Sequence, residues 1–392
     1  MFKSVLSLTL AAALGTASFG QTTLTAIPGE AAAAKYASIS QEILRAIEKG
    51  NEYLKSKQNP EGYWAQPSYP ALTALAVTAY MRDPANQGKP VPEYIRKGYD
   101  FILKSQKEDG SIFNRGMSSY NTAVCMMALL AANKEEYAPA ILKGRAYLIK
   151  QQNHFAPDNP YNGGIGYGDK QAPPIADLSN TSLALEAIYY SQKLAKDGKY
   201  GEQPDLDWNA ATEFINRCQQ NPAVNKEPWV SNDKSQLGGF VYRPGVSSAR
   251  DKKSAAFDKA EPPKAYGSMT YAGMQSLIYA NVDKNDPRVK LALKWLENSY
   301  SLDENPGMGV QGLYYYYQAM SKALSAMGID TLTLKNGRKV DWRDELANKL
   351  ISIQKSDGSW VNTNNRWWEA DPVLVTSYCV LALEQLYHSI PR

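Results

Sequence analysis

The chain has 392 residues, and its 43 basic and 39 acidic side chains leave a formal net charge of +4, too small a basic excess to hold a nucleic-acid backbone. The hydrophobic fraction of 44% argues against a disordered chain. Three cysteines are too few for a disulfide framework in a protein of this size.

The N-terminus has the layout of a secretory signal peptide over residues 1–20. Lys3 provides the basic start, an apolar run follows over 5–14, and small residues precede the predicted cleavage point. No later stretch is apolar enough to span a membrane. We therefore expect a secreted or periplasmic protein without a transmembrane span, with an N-terminal extension at 21–40 and one domain over 41–392.

The rest of the chain repeats one pattern six times. An apolar segment of helical period ends near a Gln, a turn with Gly and a bulky residue follows, and a second, more apolar helix comes next. The copy that contains Trp295 is the weakest. The predicted second helices span 71–81, 122–132, 181–191, 270–280, 314–327 and 376–387. Because they are apolar on nearly all sides, these helices should be buried.

Six helical hairpins can form either an open solenoid or a closed ring. A solenoid needs polar caps on its terminal repeats. The last copy is instead as aromatic as the middle ones, with Trp360, Trp367, Trp368 and Tyr378. We therefore predict an all-α fold, an (α/α)6 toroid of six helical hairpins with inner and outer rings of helices.

The predicted inner helices share a register. Thr122, Thr181, Thr270 and Thr376 occupy one equivalent position. The residues three positions further on are all small: Ala74, Cys125, Ala184, Gly273, Ala319 and Cys379. Small residues are expected where helices approach closely, so the two cysteines in this set should be buried thiols that act as small hydrophobic side chains.

The pattern Gln-x-x-Asp-Gly-Ser-Trp at Gln354–Trp360, with weaker copies from Gln106 and Gln58, resembles the repeat of squalene–hopene cyclases and protein prenyltransferase β subunits. The resemblance covers about residues 41–387. It implies a terpenoid-cyclase-like α/α toroid with a central cavity for an apolar or isoprenoid-like small molecule. A motif that recurs in this way is specific for the fold and much less specific for an activity.

Class II terpenoid cyclases of this family protonate an alkene or epoxide with an Asp-x-Asp-Asp-Thr motif, whose middle Asp is the acid. The nearest match here is Asp177-Leu178-Ser179-Asn180-Thr181. The proton-donating position is therefore Ser179, and a hydroxyl is too weak an acid for that step. If the protein is an enzyme, we expect Asp177 to be the acid or polarising group, with Ser179 and Asn180 as its hydrogen-bonding neighbours. The alternative role of Asp177 is an N-terminal cap for the following helix.

The prenyltransferase β subunits resemble this chain in their single barrel, and they hold zinc with Asp, Cys and His side chains. The sequence has no Asp-x-Cys, and its two histidines, His154 and His388, are isolated. Zinc sites need three or four converging ligands. We therefore predict no metal site and no cofactor.

Secreted glycosidases and polysaccharide lyases use the same helix ring, with a carboxylate pair in the groove. The turn carboxylates that could form such a pair are Asp177, Asp205, Asp207, Asp303, Glu304, Glu369 and Asp371. None of them forms a recognisable signature. A carbohydrate-active enzyme therefore stays open as an alternative, as does a non-catalytic envelope binding or scaffold protein.

The inner helices of a closed ring run parallel, so their N-termini converge on one face. Their dipoles should favour an anionic group, such as a diphosphate or carboxylate, above an aromatic cavity. The composition fits a lined cavity, with 26 Tyr and 8 Trp against 8 Phe. The predicted cavity residues are Tyr120, Tyr167, Ser179, Asn180, Tyr242, Tyr271, Tyr314, Trp367 and Trp368.

Overall fold

The structure, a computed structural model, describes residues 28–168, 175–249 and 262–390, and the predicted signal peptide lies outside these residues. The first helices of the six pairs are α1 (Pro28–Ser56), α3 (Glu93–Lys104), α5 (Ala138–Lys150), α8 (Trp208–Cys218), α10 (Pro287–Asn298) and α12 (Trp342–Ser352). The second helices are α2 (Pro70–Arg82), α4 (Ser118–Ala131), α6 (Leu178–Tyr190), α9 (Gly267–Tyr279), α11 (Leu313–Met327) and α13 (Pro372–Ser389).

The remaining elements are short. Helix α7 (Gln192–Lys196) follows α6, and β1 (Leu332–Thr333) pairs antiparallel with β2 (Lys339–Val340) after α11. Single 3-10 turns span Pro84–Asn86, Glu135–Tyr137 and Arg366–Trp368. The regular secondary structure of the described residues is therefore almost entirely helical.

The six second helices form a closed inner ring. Each contacts the next in the order α2, α4, α6, α9, α11 and α13, and α13 packs back against α2. Helix α1 packs against α12 and α13, so the outer elements also meet across the junction of first and last repeat. This closure confirms the predicted (α/α)6 toroid. Helix α1 begins at Pro28, so the boundary that we placed at residue 41 falls inside it.

The repeated Gln links neighbouring pairs. In five repeats its side-chain amide donates to the turn Gly of its own repeat and to a backbone carbonyl of the next outer helix or its cap. In the last repeat, Gln354 Nε2 donates to Gly358 O and Ala46 O, both at 3.0 Å. Because Ala46 lies in α1, this Gln ties the last turn to the first helix.

The turn Gly allows this close approach. Gly358 has a φ of +87°, and a Cβ added there would lie 2.3 Å from Lys49 O of α1. Any larger residue would therefore be strained in its backbone and would collide with a carbonyl. The motif thus holds Gly where the closing contact needs it.

The shared threonines fasten the bulky motif residues to the inner helices. Thr376 Oγ1 accepts from Trp360 N at 3.1 Å, and Thr122, Thr181 and Thr270 accept equivalent bonds. In the first repeat the acceptor is Thr73. The prediction that Ala74 fills the small slot was therefore wrong by two positions, and the equivalent residue is Ala76, which is also buried.

The small slots are tightly packed. A Cβ at Gly273 would lie 2.4 Å from the ring of Phe240, so a larger residue would displace this ring. Cys125 and Cys379 are buried free thiols, as predicted, and so is Cys218. Burial raises the pKa of the Cys125 thiol, which keeps it in its neutral form.

Candidate functional site

A cavity of about 520 Å³ lies inside the ring at the end where the inner helices begin. This volume is in the range of small-molecule sites, roughly 300–1,000 Å³. Side chains from all six inner helices or their caps reach its wall. The aromatic residues in the wall are Tyr69, Tyr120, Tyr167, Tyr242, Tyr266, Tyr315, Trp367, Trp368 and Tyr378. The cavity therefore presents mostly ring faces and phenol hydroxyls to its contents.

Most of the predicted cavity residues lie together in this wall. They are Tyr120, Tyr167, Ser179, Asn180, Tyr242, Trp367 and Trp368. They come from separate repeats, and the closed ring brings them to one place. Whether they bind a ligand is a separate matter that stays a prediction.

The predicted positions of Tyr271 and Tyr314 were wrong, because neither residue lines this cavity. Tyr271 is fully buried with its ring 5.6 Å from that of Tyr316. The Tyr314 hydroxyl donates to Val361 O at 3.2 Å. Successive side chains on a helix point in different directions, and in α11 the inward position belongs to Tyr315.

Asp177 is the N-cap of α6 and is not part of the cavity wall. Its carboxylate accepts from the backbone N of Asn180 at 2.8 Å and from Asn180 Nδ2 at 2.7 Å. Burial raises the pKa of Asp177 to about 6, while hydrogen bonds from Asn180 and Tyr242 oppose the rise. The predicted capping role is therefore confirmed, and the carboxyl group sits one layer behind the wall.

Ser179 does line the cavity. Tyr315 from α11 lines the same cavity. The neighbouring phenols Tyr167 and Tyr242 have their hydroxyl oxygens 3.4 Å apart. Burial raises the pKa of both phenols, so they remain protonated and offer neutral hydrogen bonds.

Glu369 is a cavity residue that sequence reasoning missed, since we considered it only as one of several turn carboxylates. It is buried in the wall and accepts from Tyr315 N at 2.8 Å and from Asn362 Nδ2 at 2.7 Å. Burial raises its pKa, and the backbone N–H groups at the start of α11 oppose that rise. No local pattern marks Glu369, because its partners on α11 lie more than 50 positions earlier in the chain.

The starts of the inner helices already have acceptors from the protein. Carboxylates occupy three of them, namely Asp177 at α6, Glu369 at α11 and Asp371 at α13. Asn121 accepts from the start of α2 and Asn305 from the start of α9. The Tyr167 carbonyl accepts from the start of α4. The expectation of an anion site was therefore wrong, because acceptor groups of the protein already occupy the helix ends that would have bound the anion.

Trp367 and Trp368 stand at the mouth of the cavity. The two residues are 45% and 39% exposed. Both have left-handed backbone conformations, with φ of +56° and +64°. Such conformations are costly for large side chains and concentrate at functional sites. The Arg366 guanidinium lies 4.5 Å from the Trp367 ring centre, and the Trp368 ring lies 4.6 Å from that of Tyr69.

Three other candidate carboxylates have structural partners. Asp205 pairs with Arg145 at 2.8 Å, and Asp207 caps α8 by accepting from Ala210 N. Asp303 forms an ion pair with Lys349. Glu369 is the single carboxylate that reaches the cavity wall from the described part of the chain. The arrangement therefore does not favour the carboxylate pair of a glycosidase.

Two further properties bear on the predicted classes. Among residues 28–168, 175–249 and 262–390, no group of three or more His, Cys, Asp or Glu side chains could hold a metal ion. In the same part of the chain, no helix combines the length and apolar character needed to cross a bilayer.

No family model matches the chain. Solved structures of a type II terpene cyclase, MstE from Scytonema, do resemble it. The apo structure has a TM-score of 0.53 at 11% sequence identity, over 89% of this chain and 99% of that chain. Two MstE variants, one with the product merosterolic acid A and one with the substrate geranylgeranyl dihydroxybenzoate, each have a TM-score of 0.51 at 10% identity, over 90% of this chain and 99% of theirs. The chain therefore has a terpenoid-cyclase-like fold, as its repeat predicted.

Proposed function

We propose that this protein binds an apolar, isoprenoid-type molecule in the aromatic cavity at the start of its inner helices. The observation that supports this most is the cavity itself, about 520 Å³ in volume with nine aromatic residues in its wall. Aromatic faces suit branched, unsaturated hydrocarbon chains because they offer large apolar area with little loss of side-chain freedom. MstE, which shares the fold, has been solved with a geranylgeranyl substrate.

The ligand that we propose has an uncharged polar end rather than an anionic one. Three carboxylates lie at the starts of the inner helices, and Glu369 reaches the wall itself. In its ionised form, Glu369 would repel an anionic head group. An alcohol or phenol could instead donate a hydrogen bond to the Glu369 carboxylate.

We propose that binding proceeds without alkene protonation. Ser179 stands at the position where the family's cyclases have their acid, and Asp177 is engaged as a helix cap behind the wall. We further propose that the chain is a member of the squalene cyclase and prenyltransferase repeat group that has kept the ring, and that it acts in the cell envelope after removal of residues 1–20.

The proposal can be tested by thermal-shift measurements on the mature protein with geranylgeraniol, geranylgeranyl diphosphate and cellohexaose. Binding to the native state raises the melting temperature. We expect stabilisation by the alcohol, less by the diphosphate and none by the sugar. Trp368→Ala and Tyr120→Leu should weaken the effect. Tyr190→Ala is the matched control, because Tyr190 is 51% exposed at the far end of α6. Stabilisation by cellohexaose alone would overturn the proposal.

Two further measurements separate binding from catalysis and test secretion. After incubation with the protein, gas chromatography should recover geranylgeraniol unchanged. A cyclised product that disappears in Asp177→Asn would show instead that the chain is an enzyme. Mass spectrometry of the exported protein should place the mature N-terminus near residue 21, and an intact N-terminus would remove the envelope assignment.

A further inference from the structure

A second, smaller cavity lies deeper in the ring, on the same axis. Its volume is about 80 Å³, enough for several water molecules or a short alkyl group. Four residues line both cavities, namely Tyr120, Leu183, Tyr315 and Tyr378. They therefore form a partition between an upper and a lower compartment.

Three of the partition residues are tyrosines from three different inner helices, α4, α11 and α13. The rings of Tyr315 and Tyr378 lie 6.0 Å apart. Leu183, the fourth partition residue, comes from α6. Side chains from four inner helices thus hold the partition across the axis.

The lower compartment has small apolar side chains directly beneath the partition. Ala123, Ala272 and Ala319 line it and do not reach the upper cavity. Polar side chains, Ser182 and Gln318 among them, also line the compartment, and about one helical turn beyond Ala319, Lys322 forms an ion pair with Glu186. The compartment therefore combines aliphatic side chains near the partition with a charged pair further along the axis.

We propose that the tyrosine partition of Tyr120, Tyr315 and Tyr378 sets the length of the isoprenoid chain that this protein accepts. This inference rests on the proposed function. The chain enters tail first, since the polar and exposed groups, Glu369 and Trp368 among them, lie at the mouth, and the apolar walls continue downward. The tail stops against the tyrosine rings, although apolar space continues below them.

Removing one tyrosine ring from the partition joins the two compartments. A chain longer by one isoprene unit then places its last carbons beside Ala123 and Ala319 rather than in water. Each buried methylene contributes about 0.8 kcal/mol, so even two or three such groups correspond to a change of more than about tenfold in Kd. A shorter chain does not reach the lower compartment, so removing the tyrosine ring does not increase its affinity in this way.

The test is equilibrium dialysis of the mature protein with farnesol, geranylgeraniol and geranylfarnesol, which differ by one isoprene unit each. In the wild type, affinity should fall sharply at one chain length. In Tyr315→Ala the fall should move one unit longer, with at least about tenfold tighter binding of the first alcohol that the wild type excludes. Tyr378→Ala should do the same and replaces Tyr315→Ala if that variant does not fold.

Two controls make the test specific. The double variant Tyr315→Ala/Ala319→Leu refills the lower compartment and should return the cut-off to the wild-type length. Tyr69→Ala enlarges the mouth alone, because Tyr69 lines only the upper cavity, and should leave the cut-off in place. The inference is overturned if the wild type binds the alcohols and neither partition variant moves the cut-off. If the wild type binds no alcohol, the proposed function fails, and the inference fails with it.

Discussion

Five repeats of the ring are built alike, and the repeat of α10 and α11 is built differently. In the five, a Gln, a turn Gly and an inner-helix Thr make the same bonds each time. In the odd repeat, the hydroxyls of Tyr316 and Tyr317 donate instead to Ser301 O and Leu302 O of the connecting loop. Glu369, from the neighbouring repeat, accepts from the start of α11.

The difference suggests how the ring carries a site. Where the motif is kept, its side chains serve closure and are turned away from the cavity. In the odd repeat, which lacks the motif, tyrosine hydroxyls and the Glu369 carboxylate make the structural hydrogen bonds instead. Tyr315 of α11 lines both the wall and the partition. At the irregular repeat, Glu369 therefore both accepts from the start of α11 and lines the cavity.

The largest difference in stability between the regular and the odd repeats is expected at the turn glycines. Gly358→Ala should lower the free energy of unfolding by more than about 3 kcal/mol, because the Cβ would meet Lys49 O at 2.3 Å in addition to its φ of +87°. Gly307→Ala, in the odd repeat, should cost less, since the nearest atom is Ala265 O at 3.0 Å.

Urea unfolding of both variants measures this difference, with Gly88→Ala as the matched control. Gly88 has a φ of +74° and no atom within 4 Å of the added Cβ, so its variant reports backbone strain alone, about 1–2 kcal/mol. Equal losses in all three variants would show that the closing contact adds nothing.

The next effect concerns pH. Burial raises the pKa of Asp177 from 3.8 to about 6, so the folded chain binds this proton more tightly than the unfolded chain. The resulting stabilisation is full below about pH 4 and is lost as the pH rises through about 6, a change of roughly 3 kcal/mol. Asp177→Asn keeps a capping side chain and removes the titration.

Urea unfolding at several pH values checks this prediction. Relative to the wild type, Asp177→Asn should gain stability between about pH 4 and about pH 7, because only the wild type loses its proton there. A constant difference between the two proteins across this range would show that Asp177 titrates as an ordinary exposed carboxyl group.

A smaller effect is expected at Glu369. Glu369→Ala leaves Asn362 and the start of α11 without their acceptor and should cost about 2 kcal/mol. Glu369→Gln keeps one acceptor oxygen and should cost roughly half as much. Thermal unfolding of the two variants measures the difference, and a Glu369→Ala protein as stable as the wild type would refute the structural role of this carboxylate.

Much of the ring could be predicted from the sequence because the closing residues recur at fixed spacing. Gln354, Gly358 and Thr376 each belong to this recurring pattern, and each makes a contact that holds the ring together. The residues of the cavity wall were harder to predict, because they depend on the rotation of each inner helix about its own axis. A shift of one residue separates Tyr314, which faces Val361, from Tyr315, which faces the cavity.

Long-range partners account for the remaining errors. Asp177 could be assigned as a cap because its partner is three residues away. The reach of Glu369 to α11 depends on how two repeats pack together, and no local pattern reports that. The expected anion site failed for the same reason, because dipole arguments apply to helix ends only when those ends are not already capped.

A crystal structure of the mature protein with geranylgeraniol tests the central claim most directly. We expect the hydrocarbon chain along the ring axis, with its hydroxyl near Trp367 and Trp368 and its tail against Tyr315 and Tyr378. Alcohol bound only on the outer surface, or wall side chains that fill the 520 Å³ space and leave no room for it, would contradict the account.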